Sequence, residues 1–167
     1  MKLSQEGLTL IELLVSVAVV AVLLSVAIPS FHRVSEQQKV RGAGMALYSD
    51  FQLARSEAIK RNKDVTVCFN GSGTALWSYH IKELAQPSDC DASVYLDINR
   101  VDNPASSTLI LTASYPSPYV IFKPRRSSLV SGNVTFVDGG HSIKVITWNN
   151  SIIRTCSDSQ LSGVPRC

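Results

Sequence analysis

Twenty-one consecutive residues, Leu8 to Ile28, are apolar apart from Thr9, Glu12, Ser16 and Ser25. As a helix such a run rises about 1.5 Å per residue and reaches roughly 30 Å, the thickness of one bilayer core. A secretory signal peptide would end at small residues after its apolar stretch; here the run passes through Pro29 into an amphipathic pattern, so retention is expected. Lys2 precedes the run, and the positive-inside rule then places residues 1–7 in the cytoplasm and the remainder of the chain in the periplasm.

Glu12 is the anomaly in this run. A carboxylate inside a membrane helix costs about 2.5 to 3.5 kcal/mol on insertion scales, so it marks either a partner or an interfacial position from which it reaches headgroups. Position favours a partner. Were the chain cut after Gly7, the new amino group of Leu8 would lie one helical turn from Glu12, and an ammonium and a carboxylate could pair.

Beyond Pro29 the three- and four-residue spacing continues through Phe31, Val34, Met45, Leu47, Tyr48, Phe51, Ala54, Ala58 and Ile59, with charged and polar residues between them. This predicts one long helix: a transmembrane half over residues 8–29 and an amphipathic half over 30–62. Pro29 is expected to break or loosen it. Gly42 and Gly44 each cost about 1 kcal/mol of helix propensity, so a second irregularity is expected there.

From Asp64 the period becomes two. Strands are expected at 65–69, 76–81, 93–96, 108–111, 119–122, 133–137, 142–147 and 152–154, separated by Asn, Gly, Pro and Ser clusters. A helix followed by mostly antiparallel strands is an α+β arrangement, with a β-rich head over 63–167 and the amphipathic half of the helix lying across a sheet.

Four cysteines, Cys68, Cys90, Cys156 and Cys167, allow three pairings and lack the paired C-x-x-C form of a zinc site. If the head lies outside the cytoplasm, the economical pairing is Cys68 with Cys90 and Cys156 with Cys167, each closing a local loop. Buried free thiols are the alternative. The net charge of +3 names no partner, but residues 120–167 hold six Lys and Arg against two Asp, so the positive field is C-terminal.

Catalytic chemistry finds no support. His32, His80 and His141 are isolated in sequence and read as surface or strand residues. Asp89 and Asp91 flank Cys90, and Asp97–Ile98–Asn99 with Asp102–Asn103 is oxygen-rich, yet without the glycine and terminal glutamate of a calcium loop it reads as a solvated loop. No nucleophile elbow, phosphate loop or dinucleotide fingerprint occurs, so neither metal nor cofactor is implied. Trp77 and Tyr79 share one strand face and Trp148 ends another strand; core packing is expected for them.

The polar leader ending in Gly7, an apolar residue at the cut, Thr9–Leu10–Ile11–Glu12–Leu13 and the apolar helix to Pro29 resemble the class III signal of type IV pilins and type II secretion pseudopilins. In the head, Asp64 to Phe69, Val120–Ile121–Phe122–Lys123–Pro124–Arg125, Gly132–Asn133–Val134–Thr135–Phe136 and Arg154–Thr155–Cys156 resemble the GspH/FimT group of minor pilins and pseudopilins. The resemblance implies a pilin-like fold, cleavage between Gly7 and Leu8, N-methylation of Leu8 by a prepilin peptidase, and Glu12 aligning subunits in a filament. Phe is usual after the cut, where this chain has Leu8. The implied role is a minor pilin in the tip or initiation complex of a type IV pilus, or alternatively a pseudopilin of type II secretion. Implied partners are other major and minor pilins or pseudopilins, prepilin peptidase, the inner-membrane assembly platform and inner-membrane lipid.

DNA binding during natural transformation is a further alternative, carried in FimT-like proteins by a Gly-Arg-x-Arg pattern near the C-terminus. The corresponding stretch here, Ser151–Ile152–Ile153–Arg154, keeps only the last arginine. Lys123, Arg125, Arg126, Arg154 and Arg166 are the candidate phosphate contacts.

Overall fold

The computed structural model describes residues 9–84, 90, 97–125 and 129–167. The chain divides into two compact units, Met1–Ser35 and Glu36–Cys167. A single helix, α1 (Leu10–Arg61), supplies the described structure of the first and opens the second.

The break expected at Pro29 does not occur in the helix assignment, which continues through it. A proline removes one rung of the hydrogen-bond ladder, and the rungs on either side carry the helix past it. The irregularity expected near Gly42 and Gly44 is also missing, and Gly44 has a packing reason to be glycine. A Cβ there would lie 2.4 Å from Cγ2 of Ile143, so only hydrogen lets the helix approach the neighbouring strand so closely. The helix ends as expected: Asn62 takes a left-handed φ of 52°, and the Lys63 N–H donates to the Ala58 carbonyl at 3.3 Å.

In the second unit, α1 is followed by β1 (Val65–Asn70), β2 (Ser78–Lys82), β3 (Asp97–Asp102), β4 (Ile110–Ser114), β5 (Tyr119–Phe122), β6 (Gly132–Asp138), β7 (His141–Thr147) and β8 (Ile153–Cys156). They form two four-stranded antiparallel sheets, ordered β3-β2-β1-β5 and β4-β6-β7-β8. The core takes Val40, Leu47, Phe51, Ala54 and Ala58 from the helix, Val65, Val67, Tyr79 and Ile81 from the first sheet, and Val134, Phe136, Ile143 and Val145 from the second. Phe51 is its centre, with its ring 5.5 Å from Phe122 and 6.4 Å from Phe69.

Several expectations shift. Met45 and Ile59 fit the helical spacing but are exposed, while Val40, passed over in the sequence, is fully buried. The oxygen-rich stretch at Asp97 is strand β3 rather than a loop, because pairing with β2 and side-chain partners outweigh the low strand propensity of Asp and Asn. The strand expected at 93–96 lies outside the described residues, as do Asp89 and Asp91. Core packing holds for Trp77, whose Nε1–H donates to the Leu109 carbonyl at 2.9 Å, but Trp148 is 38% exposed.

The turn Asn70–Gly71–Ser72–Gly73 joins the two sheets. The Gly73 N–H donates to the Leu111 carbonyl at 2.7 Å, and the Ser72 hydroxyl accepts from the Ala113 N–H at 2.9 Å, which covers the edge of β4. Gly71 adopts φ +67°, and a Cβ there would fall 2.1 Å from the Leu76 carbonyl oxygen. Backbone cannot yield as a flexible side chain can. Gly71→Ala is therefore expected to destabilise the head by about 2 kcal/mol, read as a lowered urea midpoint with an unchanged m-value.

Candidate functional site

The first unit presents a helix on which two serines are satisfied by the helix's own backbone. Ser16 Oγ donates to the Glu12 carbonyl and Ser25 Oγ to the Val22 carbonyl, both at 2.7 Å. Leu10, Leu13, Leu14 and Val17 are each more than half exposed, so the apolar surface is free for lipid or a neighbouring helix. The helix is long and apolar enough to cross a membrane.

Thr9 is its N-cap. Its Oγ1 accepts from the Glu12 N–H at 3.3 Å, and its carbonyl accepts from the Leu13 N–H at 3.1 Å. The spacing Thr9-x-x-Glu12 is that of a capping box, a signal visible in the sequence and overshadowed there by the charge. The Glu12 carboxylate itself has no hydrogen-bond or ion-pair partner among the described residues, so it stands as an available anion on an apolar helix. Gly7 and Leu8, the positions of cleavage and methylation, lie outside the described residues, as does Arg126.

In the head the structure pairs Cys68 with Cys90 and Cys156 with Cys167. Cys68 faces His80 across β1 and β2. His80 is a strand residue of β2, as read from the sequence, but it is buried, with Nδ1 3.2 Å from Asp97 Oδ2. Lys82 lies 3.5 Å from the same carboxylate and donates to the Cys90 carbonyl at 3.4 Å. Alternation on β2 puts Ser78, His80 and Lys82 on one face and Tyr79 and Ile81 on the other, in the core.

Ser78, His80 and Asp97 have the connectivity of a hydrolytic triad, but the Ser78 Oγ to His80 Nε2 distance is a long 3.4 Å. No cleft among those described is lined by them. They form a polar layer beside the Cys68–Cys90 bridge, with His80 and Lys82 buried and Asp97 exposed at its edge. Other polar side chains of β3 are also engaged: Asn99 Nδ2 donates to Asp50 Oδ1 at 2.9 Å, and Arg100 donates to Asp102 through two contacts of 2.8 and 3.0 Å. No metal-holding group occurs among the described residues.

Two tyrosines tie the core together. The Tyr79 hydroxyl donates to Asp50 Oδ2 on α1 at 2.6 Å; burial first, then that carboxylate, push its pKa far above the ordinary value. Burial pushes Tyr115 up to about 12, against a smaller lowering by the Thr147 hydroxyl 3.1 Å away. A group whose folded pKa is raised contributes stability fully present below its unfolded pKa, near 10, and lost as pH rises through the folded value. Head stability is expected to fall between pH 10 and 12, by up to about 1.4 kcal/mol per pH unit from Tyr115 alone. In Tyr115→Phe, urea unfolding should show a shallower alkaline slope and a loss of about 1 kcal/mol at neutral pH for the missing hydrogen bond.

The basic residues divide between two depressions with no lining residue in common. Lys123 and Arg125 border one at the end of α1, where Arg125 Nε donates to Asn62 Oδ1 at 3.3 Å. Arg154 and Arg166 border the other with Trp148.

The family described as Type II transport protein GspH matches residues 43–151, and the prokaryotic N-terminal methylation motif matches residues 2–28. No curated protein matches the chain. Two solved structures of the Pseudomonas aeruginosa (strain PAO1) type IV minor pilin FimU are similar in fold, each at 17% identity. The crystal form in space group P21 has a TM-score of 0.57, with 78% of this chain and 97% of that one covered; the form in P65 has 0.53, with 74% and 98%. The long helix on two antiparallel sheets is thus a pilin fold, shared with structural subunits rather than enzymes. With the chain matched from within α1 to Ser151, just ahead of β8, and the methylation motif before it, the chain belongs to the GspH family.

Proposed function

We propose that the chain is a minor pilin-like structural subunit. Prepilin peptidase cuts it between Gly7 and Leu8 and methylates Leu8; residues 8–29 hold it in the inner membrane with the head in the periplasm. From there it packs through the apolar helix into the tip or initiation complex of a type IV pilus, beside other pilins and on the inner-membrane assembly platform. The observation that carries this reading is one chain matching the N-terminal methylation motif at 2–28 and the GspH head at 43–151. Intact mass of the protein purified from its own membranes tests it. A chain beginning at Leu8 with one added methyl and two disulfides is expected, whereas an unprocessed, unmethylated mass removes the reading.

A second reading, a pseudopilin of type II protein secretion, is favoured by the description of the matched family as a transport protein. Gene deletion separates the two. Loss of surface pili with intact protein export supports the pilus, and the reverse supports the secretion machine.

A further inference from the structure

Six basic side chains of the second unit are neutralised locally. Lys60, Arg61, Lys63, Lys82, Arg100 and Lys144 each lie within ion-pair distance of a carboxylate. Arg154 and Arg166 have no ion pair and no side-chain hydrogen bond among the described residues, yet both border one cleft of about 200 Å³. Two guanidinium side chains without a paired carboxylate at one small cleft make it a place where an anion is favoured.

The fold holds both in place. Ile146 and Arg154 face each other across β7 and β8, so Ile146, Arg154 and, two residues on from Ile146, Trp148 share the face of the second sheet opposite Val145. The Arg154 guanidinium sits 5.5 Å from the Trp148 ring centroid, a cation–π contact that orders it. The backbone at Arg166 is fixed by its bridge to Ser157, by the Ser157 N–H donating to the Pro165 carbonyl at 2.9 Å, and by the Cys156–Cys167 disulfide beside it. Such preorganisation lowers the entropy lost on binding.

Size and surroundings identify the ligand class. The cleft is below the range of about 300–1,000 Å³ usual for a whole small-molecule ligand, and it suits a single carboxylate side chain. The Trp148 ring carries Arg154, so it is not a bare platform for stacking a nucleic-acid base. Ile146 and Pro165 also line the cleft, and exposed Ile152 adjoins Trp148, its carbonyl accepting from the Trp148 N–H. Trp and Arg beside apolar Ile146 and Pro165 is the composition of a protein-docking hot spot. We propose that the Trp148–Arg154–Arg166 cleft docks a carboxylate side chain presented beside an apolar residue on a partner protein. This rests on the cleft alone, not on processing or filament assembly.

The full chain in nonionic detergent is titrated with the peptides acetyl-Leu-Glu-Glu-Leu-amide and acetyl-Leu-Gln-Gln-Leu-amide and with a short oligothymidylate, reading the indole N–H resonances of Trp148 and Trp77. The glutamate peptide is expected to shift Trp148 and leave buried Trp77 unmoved, and to bind at least about tenfold more tightly than the glutamine peptide. Arg154→Ala and Arg166→Ala should each weaken it about tenfold, and Arg154→Lys should not restore it, because a point charge lacks the planar stack. An unchanged Trp77 resonance shows that each variant is folded. No shift at millimolar peptide, equal binding of the two peptides, or indifference to both arginines overturns the proposal. So does an oligothymidylate that perturbs Trp148 more strongly than the acidic peptide.

Discussion

Glu12→Ala is expected to reduce incorporation into the assembled filament by at least about tenfold, while leaving cleavage, membrane insertion and head folding intact. The two effects have opposite signs. Removing a carboxylate from an apolar helix favours insertion by about 2.5 to 3.5 kcal/mol, so a defect confined to assembly cannot come from poor anchoring. The capping geometry supplies a control. Glu12 is the third helical residue after Thr9, and a glutamine serves a capping box as well as a glutamate does. If the carboxylate pairs with the Leu8 ammonium of its own or an adjacent subunit, Glu12→Gln fails as Glu12→Ala does; if it only caps, Glu12→Gln restores assembly. Quantifying the subunit in sheared filaments and in membranes decides between them. Wild-type levels in filaments for both variants would discard the pairing role.

Phe51→Ala is expected to destabilise the head by about 3 to 5 kcal/mol, close to the whole stability of many domains. Phe51 is fully buried and contacts rings from both β1 and β5, so its removal leaves a cavity that the two strands cannot close without losing their register to one another. Denaturant unfolding followed by the fluorescence of Trp77 measures it. A loss below 1 kcal/mol would mean that α1 does not organise the core in the way its burial implies. Met45→Ala, on the exposed side of the same helix, is the matched comparison and should change stability by less than about 0.5 kcal/mol.

Much of the fold was legible in the sequence because the signals were periodic. The apolar run and the three-to-four spacing marked α1, and Tyr119–Phe122 was bounded correctly because Pro118 and Pro124 enclose a short β-branched and aromatic run. The amphipathic stripe was read with partial success. Leu47, Phe51, Ala54 and Ala58 line it, but spacing alone does not fix its width: Met45 and Ile59 fit the spacing and are exposed, while Val40 is buried. β3 was missed because Asp97, Asn99 and Asp102 have loop chemistry, and only their partners His80, Asp50 and Arg100 make strand backbone tolerable for them.

For the candidate sites the division is sharper. Glu12 stood out in the sequence because a charge in an apolar run is a local anomaly, and Thr9 capping it was equally local. The cleft at Trp148 was not legible: the C-terminal basic residues were visible as a group, but nothing in their order separates Lys123 and Arg125 from Arg154 and Arg166.

The sequence by itself determined the membrane-length helix, the anomalous carboxylate, the change to strand periodicity at Asp64 and the family pattern, because each depends on residues within a few positions of one another. Only the tertiary structure decided that the strands divide into two sheets, that Gly44 admits Ile143, that His80 and Lys82 are buried beside a disulfide, and that Arg154 and Arg166 share a cleft with Trp148. Those facts depend on which distant segments meet, and that is set by the collective packing of the core rather than by any short stretch of chain.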